Sequence, residues 1–453
     1  MERIWEERDQ HRDLSHDFEY WNHLERLFHM MDEGAPSFDL PKYNGGLFKR
    51  FDPSTPLEEL QEEEIGLWFL EVHKLSDPYL RDVIEKLTFD PEAPSDARAF
   101  IDYSSLGVRH LGEIYEGLLE FKIAIVEDEP VCAVGPTSNP VWKKQSEVEP
   151  GEIVHISKEV GQPYITNDKG ERKASGSYYT PHYIVEYIVK HTVGPQLDRL
   201  EQEKEWYDRI LSPNADLQAL YLEIMEKTVS SEGERERLDS FWKTYRTTEE
   251  RRNFLLSHLD PEWEHHQFDP ATRALELKVL DPAMGSGHFL VHAVDVIADR
   301  VADFLNKHPN SPVAKQLNRL RKSILTNVRE QGVRIDKTKL NDVNLLKRMV
   351  IKRCIYGVDV NPMAVELAKL SLWLDSFTIG APLSFLDHHL KCGNSLIGAT
   401  DVSEYLAPGS KREKQFLQAV GNLLNVADMT DVTILEVKQS QKLYPSLTPK
   451  SGI

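Results

Sequence analysis

The stretch LKVLDPAMGSGHFLVHAV, residues 277–294, constrains the fold more than any other part of the chain. A short apolar run, Leu277–Leu280, ends at Asp281 and passes through Gly285 and Gly287. From Leu290 on, apolar residues at 293, 294, 297, 301 and 304 recur at helical spacing. Strand, tight turn and helix follow one another with almost no connecting chain. The glycines let the backbone come close to a ligand, and the new helix begins with unpaired N–H groups. An acid at the end of the strand completes the ligand crevice of a doubly wound α/β sheet.

The spacing also limits the ligand. A dinucleotide turn would read G-x-G-x-x-G, and the third glycine position here is Leu290. An acid with two close glycines suits a smaller ligand that joins an amino acid to a nucleoside, and S-adenosylmethionine is one. A second element, RCIYGVDVNPMAVELAKLSLWL (353–374), holds a strand expected over Ile355–Val358 and ending at Asp359. Asn361 then caps a helix that starts at Pro362. An acid in that place accepts hydrogen bonds from ribose hydroxyls. A third element, LDHHLKCGNSLIG (386–398), brings Asn394, whose amide can pair with an adenine edge. His388, His389 and Cys392 lack a second ligand pair at zinc spacing, so no metal site is assigned.

The rest of the chain frames this unit. Its 453 residues carry 74 acids against 54 Lys and Arg, a net charge of −20, which argues against a general polyanion binder. From Ser311 to Arg353, however, twelve cations face three acids, and this basic stretch is expected to leave the sheet as an excursion. It reads as a solvated helical face or, alternatively, as a phosphate contact. No apolar run reaches membrane length, the first residues are charged, and three scattered cysteines form no framework. The expected compartment is the cytoplasm, with no membrane partner. We expect a mostly helical domain over 1–130 and a linker with a β-hairpin over 131–177, its strands turning at Asn167, Asp168 and Gly170. The α/β core should span 178–398, interrupted at 196–275 and 305–353, with an incomplete segment over 399–453. At the start of the core, Thr180 should cap a helix beginning at Pro181, with Ile184, Tyr187 and Ile188 on one face.

Taken in order, GSYYTP, DPAMGSGHFL, GVDVNPMAVELAKLSLWL and CGNSLIG resemble the adenine-N6 DNA methyltransferases. They are most similar to the large enzymes of restriction–modification and phage defence (type IIG, BREX and DISARM methylases). The resemblance covers about 170–400, and YNGGLF and IYEGLLE extend it toward the N-terminus. It implies a partial Rossmann-like S-adenosylmethionine methyltransferase sheet with a helical N-terminal domain and helical insertions. It also implies that Tyr178, Tyr179, Thr180 and Pro181 border the methionine carboxylate. Asp281, Pro282, Ala283, Gly285 and Gly287 would wrap the methionine, Asp359 would hold the ribose and Asn394 would touch the adenine, with Phe289 and Val360 also in the cofactor site. Such enzymes methylate an adenine flipped out of duplex DNA.

One element of the family pattern does not occur in the 453 residues, the Pro-Pro-aromatic motif that holds the target base; SNPV and VNPM have one proline each. No catalytic residue is therefore assigned. The expectation is the N-terminal part of a larger or split methyltransferase, with duplex DNA and a complementing chain or defence-system subunits as partners. The first strand should then sit unpaired at a sheet edge. Two other readings are a non-catalytic cofactor-sensing or scaffold subunit and a nicotinamide-dependent oxidoreductase; Leu290 speaks against the latter.

Overall fold

The computed structural model describes residues 17–43, 54–56, 60, 68–89, 100–103, 110–112, 114, 121–134, 141–167, 180–260, 268–336, 340–397, 431 and 434–443. The fold is mixed α/β, mostly helical with small sheets. Helices α1 (Glu19–Glu33) and α2 (Asp77–Thr88) pair through Tyr20 and Leu80. The Asp77 carboxylate fixes that pair by accepting from Glu19 N and Tyr20 N, both at 3.0 Å. Two of the four orphan donors at the start of α1 are satisfied in this way.

Five short strands follow: β1 (Phe121–Ile125), β2 (Val131–Val134), β3 (Val141–Lys144), β4 (Val154–Lys158) and β5 (Pro163–Asn167). β2 and β3 pair as an antiparallel hairpin within 131–177, whereas the consecutive strands β4 and β5 do not pair with each other. β4 pairs with β2, whose other neighbour is β3, while β5 reaches back to β1; both sheets are antiparallel. The chain reverses between β4 and β5 at Gly161, which has φ +85°. Asn167 ends β5, and 168–170 lie outside the described residues. A boundary at 131 therefore separates β1 from its partner. Local turn chemistry suggested neighbours, but the pairing is non-local.

Helix α3 (His182–Leu211) runs for 30 residues. Pro181, not Thr180, occupies its N-cap, with no side-chain cap, and Pro181 O accepts from Ile184 N. The buried stripe is Val185, Val189, Val193 and Leu197, whereas Tyr187 and Ile188 are exposed. The expected face is thus one residue out of register, because a core of branched aliphatics fills more evenly than one holding a tyrosine. The far end of α3 joins α4 (Leu217–Thr228), α5 (Glu232–Thr244) and α6 (Thr248–Leu259) around Trp206, Tyr221, Trp242 and Leu255. The segment read as an insertion thus begins inside a continuous helix and has its own core.

After α7 (Pro270–Ala274) comes the parallel sheet: β6 (Val279–Asp281), β7 (Ile355–Asp359) and β8 (Leu390–Cys392), in the order β6–β7–β8. Among the described residues β6 has a partner on one side only. Helices α8 (His288–Lys307), α9 (Pro312–Glu330) and α10 (Asp342–Cys354) connect β6 to β7, and α11 (Pro362–Asp375) lies between β7 and β8. A last helix, α12, spans Ile434–Leu443. All six apolar positions read for α8, from Leu290 to Phe304, are buried. The basic stretch leaves the sheet as helices, and these pack into the main core instead of standing apart from it. Leu317, Ile324, Leu345, Val350 and Cys354 belong to the main core, and α10 passes directly into β7. The count of charges obscured an amphipathic pattern: on α9 Val313, Leu317, Leu320, Ile324 and Val328 face the core.

Candidate functional site

The turn after β6 is held by its own backbone and by the next strand. Ala283 N donates to Asp281 Oδ1 at 3.0 Å, Met284 N to Val358 O at 3.0 Å and Gly287 N to Met284 O at 2.9 Å. Both glycines have positive φ, +54° at Gly285 and +83° at Gly287, a region costly for other residues. They differ in surroundings. A Cβ on Gly287 would lie 3.1 Å from Ala368 Cβ of α11, so this glycine lets α8 approach α11. A Cβ on Gly285 would meet nothing within 4 Å, so here the backbone stays open.

Asp359 is the hub. Its Oδ2 accepts from Gly285 N at 2.9 Å and its Oδ1 from Asn361 N at 2.8 Å, while its carbonyl accepts from Gly393 N at 2.9 Å. One residue therefore ties the glycine turn, the start of α11 and the exit of β8 together. Asn361 caps α11 as the sequence suggests, its side chain accepting from Met363 N at 3.0 Å. Asn394 is exposed, and its Oδ1 accepts from Leu396 N at 2.9 Å. Around these exits Val360 is 63% exposed and Leu396 93%, which leaves apolar surface beside the two acids.

Charge within the site is unevenly distributed. Burial pushes the Asp281 carboxyl above the usual carboxylate range; the Ala283 N–H opposes the rise and the charge of Asp359 adds to it. On the other flank, His182 Nδ1 lies 3.2 Å from His288 Nε2, and His292 meets His182 edge-on at 5.6 Å. Burial holds the His292 imidazole below its ordinary value, with Asp295 opposing.

The structure thus brings Asp281, Pro282, Ala283, Gly285, Gly287, Asp359, Val360 and Asn394 to the carboxyl ends of three adjacent strands. Thr180 and Pro181 reach the same region through the His182–His288 contact. Tyr178 and Tyr179 lie outside the described residues. Phe289 lies beside Asp281 and Pro282: together with Ile188, Thr192 and Leu280 they line an apolar cavity of about 480 Å³ between α3, α8 and β6, the edge strand of the sheet among the described residues.

Sequence reading missed Gly357. A Cβ there would come within 2.3 Å of Met284 Sδ and 2.9 Å of Leu290 Cδ1, so only glycine lets the turn settle on β7. A lone glycine inside a strand is the signal that could have revealed it. The histidine cluster left no such trace, since 106 positions separate His182 from His288. His389 is buried, His388 half-buried and Cys392 exposed; among the described residues no three His, Cys, Asp or Glu side chains are placed to hold a metal.

Comparison with known proteins gives the same picture. Residues 353–429 match the family described as the Eco57I restriction-modification methylase. The chain is also 28% identical over 246 residues to a protein of Methanocaldococcus jannaschii provisionally described as a type II restriction enzyme and methyltransferase. That alignment covers 52% of this chain and 16% of the relative, so the match spans under a fifth of its length. No solved structure matches. The parallel-strand unit around Asp359 thus carries the signature of the restriction–modification methylases, and this is the family to which the chain is similar.

Proposed function

We propose that the chain forms the S-adenosylmethionine-binding part of a DNA adenine-N6 methyltransferase from a restriction–modification or phage-defence system. The observation that carries this reading is the Asp359 clamp on Gly285. It holds a glycine turn open at the carboxyl ends of two adjacent parallel strands, the place where a doubly wound sheet takes its ligand. The residues fit the donor. The open backbone at Gly285 leaves room for the methionine portion, Asp359 retains lone pairs for ribose hydroxyls, and Val360 supplies apolar surface for the adenine. On this reading the β6–β7–β8 unit is half of a doubly wound, Rossmann-like sheet. The cofactor supplies an electrophilic methyl group; the residues here bind and orient it.

The base-holding Pro-Pro-aromatic motif would then come from beyond these 453 residues or from a second chain. The cavity beside the unpaired edge of β6 is a suitable seat for the next strand. DNA, complementing subunits and a cytoplasmic setting belong to the proposal in the same way. Calorimetric titration of the chain with S-adenosylmethionine and its demethylated product tests it. Binding of both is expected, and no affinity for either, even with the completing chain present, would refute it. The second reading, a non-catalytic cofactor-sensing or scaffold subunit, rests on the missing motif. It predicts donor binding without adenine methylation of duplex DNA when the complementing chain is added.

A further inference from the structure

Eight of the twelve cations of the basic stretch fall into two groups in the structure. The first is consumed internally. Arg321 pairs with Asp342, and Lys347 bridges Asp295 and Asp375. Arg348 donates to Pro382 O and Asp431 O, and Lys352 pairs with Asp431. The second group lies on α9. Lys315, Arg319, Lys322 and Arg329 are exposed, and no ion pair is found for any of them among the described residues. Their spacing of four, three and seven places them on one helical face, with exposed Thr326 completing the row. The opposite face, Val313, Leu317, Leu320, Ile324 and Val328, is buried, so the row cannot turn away from solvent.

This row is anomalous for the chain. Acids make up 74 of 453 residues, about one in six, yet the only acid of α9 is its last residue, Glu330. Like charges three and four residues apart repel, so an unpaired row costs stability unless an anion meets it.

We propose that this cationic face of α9 docks the phosphate backbone of duplex DNA. From Lys315 to Arg329 the row extends about 21 Å at 1.5 Å per residue. That is roughly six phosphate steps of one strand at 3.4 Å each. The exposed neighbours Asn318, Ser323 and Thr326 are neutral hydrogen-bonding groups, suited to phosphate oxygens. No aromatic residue interrupts α9, so it offers no platform for stacking single-stranded bases; a duplex fits and a single strand does not. The choice of DNA rests on the function proposed above. The position of the row is independent of it. Ser311, which caps α9, bonds Asp269 at 2.9 Å ahead of α7, and Cys354 at the amino end of β7 donates to Ala274 O at the end of α7. The start of α9 therefore lies toward the amino ends of the strands, away from the glycine turn.

The test is fluorescence anisotropy of the whole chain with a 30-base-pair duplex over a series of salt concentrations. Arg319→Glu with Lys322→Glu should weaken binding at least tenfold near 100 mM salt and lower the salt slope by about two. Arg321→Gln, which removes a cation already paired, should leave both nearly unchanged. S-adenosylmethionine titration runs in parallel. Intact donor binding with duplex affinity indifferent to Arg319 and Lys322 overturns the docking face alone. Loss of donor binding with the duplex effect intact overturns the proposed function and leaves the face standing. No duplex binding by the unaltered chain, or self-association that the double variant disperses, also overturns the face; the latter would mean that the row meets the acidic surface of a second copy.

Discussion

Asp281 and Asp359, at the carboxyl ends of β6 and β7, use their carboxylates on backbone N–H groups of a turn that remains open to solvent. Arg348 and Lys352 of α10 and the nearby Asp431 turn their charged groups on one another and on neighbouring carbonyls, and all three are at most 5% exposed. Asp431 takes part in four contacts at once. It accepts from Lys352 Nζ at 2.6 Å, from Phe385 N at 3.0 Å and from Ser440 Oγ at 3.3 Å, and its carbonyl accepts from Arg348 Nη2. In doing so it pins the segment around α12 to the main core. Both clusters are charged, but they differ in what remains unused. The sealed cluster spends its polar groups on partners inside the fold and can only stabilise or destabilise it. The open cluster keeps acceptor capacity toward solvent, as a binding site requires.

The contrast breaks most sharply at Asp431. Asp431→Ala leaves the buried Lys352 without its carboxylate and should cost about 3–5 kcal/mol in denaturant unfolding. A cost below roughly 1 kcal/mol would show that the cluster is hydrated rather than sealed.

Acid should expose the same sealed region next. Burial pushes His389 down to about 4, with the hydrogen bond to Ile355 O opposing; burial pushes His388 down to about 2, with the charge of His389 adding to it. Unfolded histidine binds its proton near 6.5, so between that value and the folded one the unfolded chain holds more protons and acid favours it. The stabilising contribution is complete above pH 6.5 and declines as pH falls below it. For His389 the decline ends near pH 4. Each ring adds at most about 1.4 kcal/mol per pH unit to the slope. Equilibrium unfolding at pH 7, 6 and 5 measures this, and His388→Leu should flatten the curve.

The smallest change in stability is expected at the open cluster, where the effect on binding is large. Asp359→Ala frees Gly285 N and Asn361 N, which water can reach, so stability should shift by about 1 kcal/mol. Donor affinity should fall at least tenfold, because the turn loses its clamp. A large loss of stability with unchanged affinity would move Asp359 into the structural class and remove the main support for the proposed function.

Much of the candidate site was legible because its constraints are local. Gly285 and Gly287 reveal the turn because only glycine is at ease with positive φ, and Asn361-Pro362 reveals a helix start because both residues satisfy its first turn. The aliphatic positions of α8 read correctly because one helix face meets one core. The rest depended on partners distant in sequence. The register of α3, the swapped pairing of β4 and β5, and the contact of His182 with His288 are set by packing across tens of residues. The charges show the division most clearly. The sequence by itself determined that residues 311–353 carry twelve cations and that an acid ends each of the first two parallel strands. Only the tertiary structure decided which of those charges are neutralised within the fold and which face solvent, because the energy of a charge depends on the dielectric and on the partners that folding brings to it.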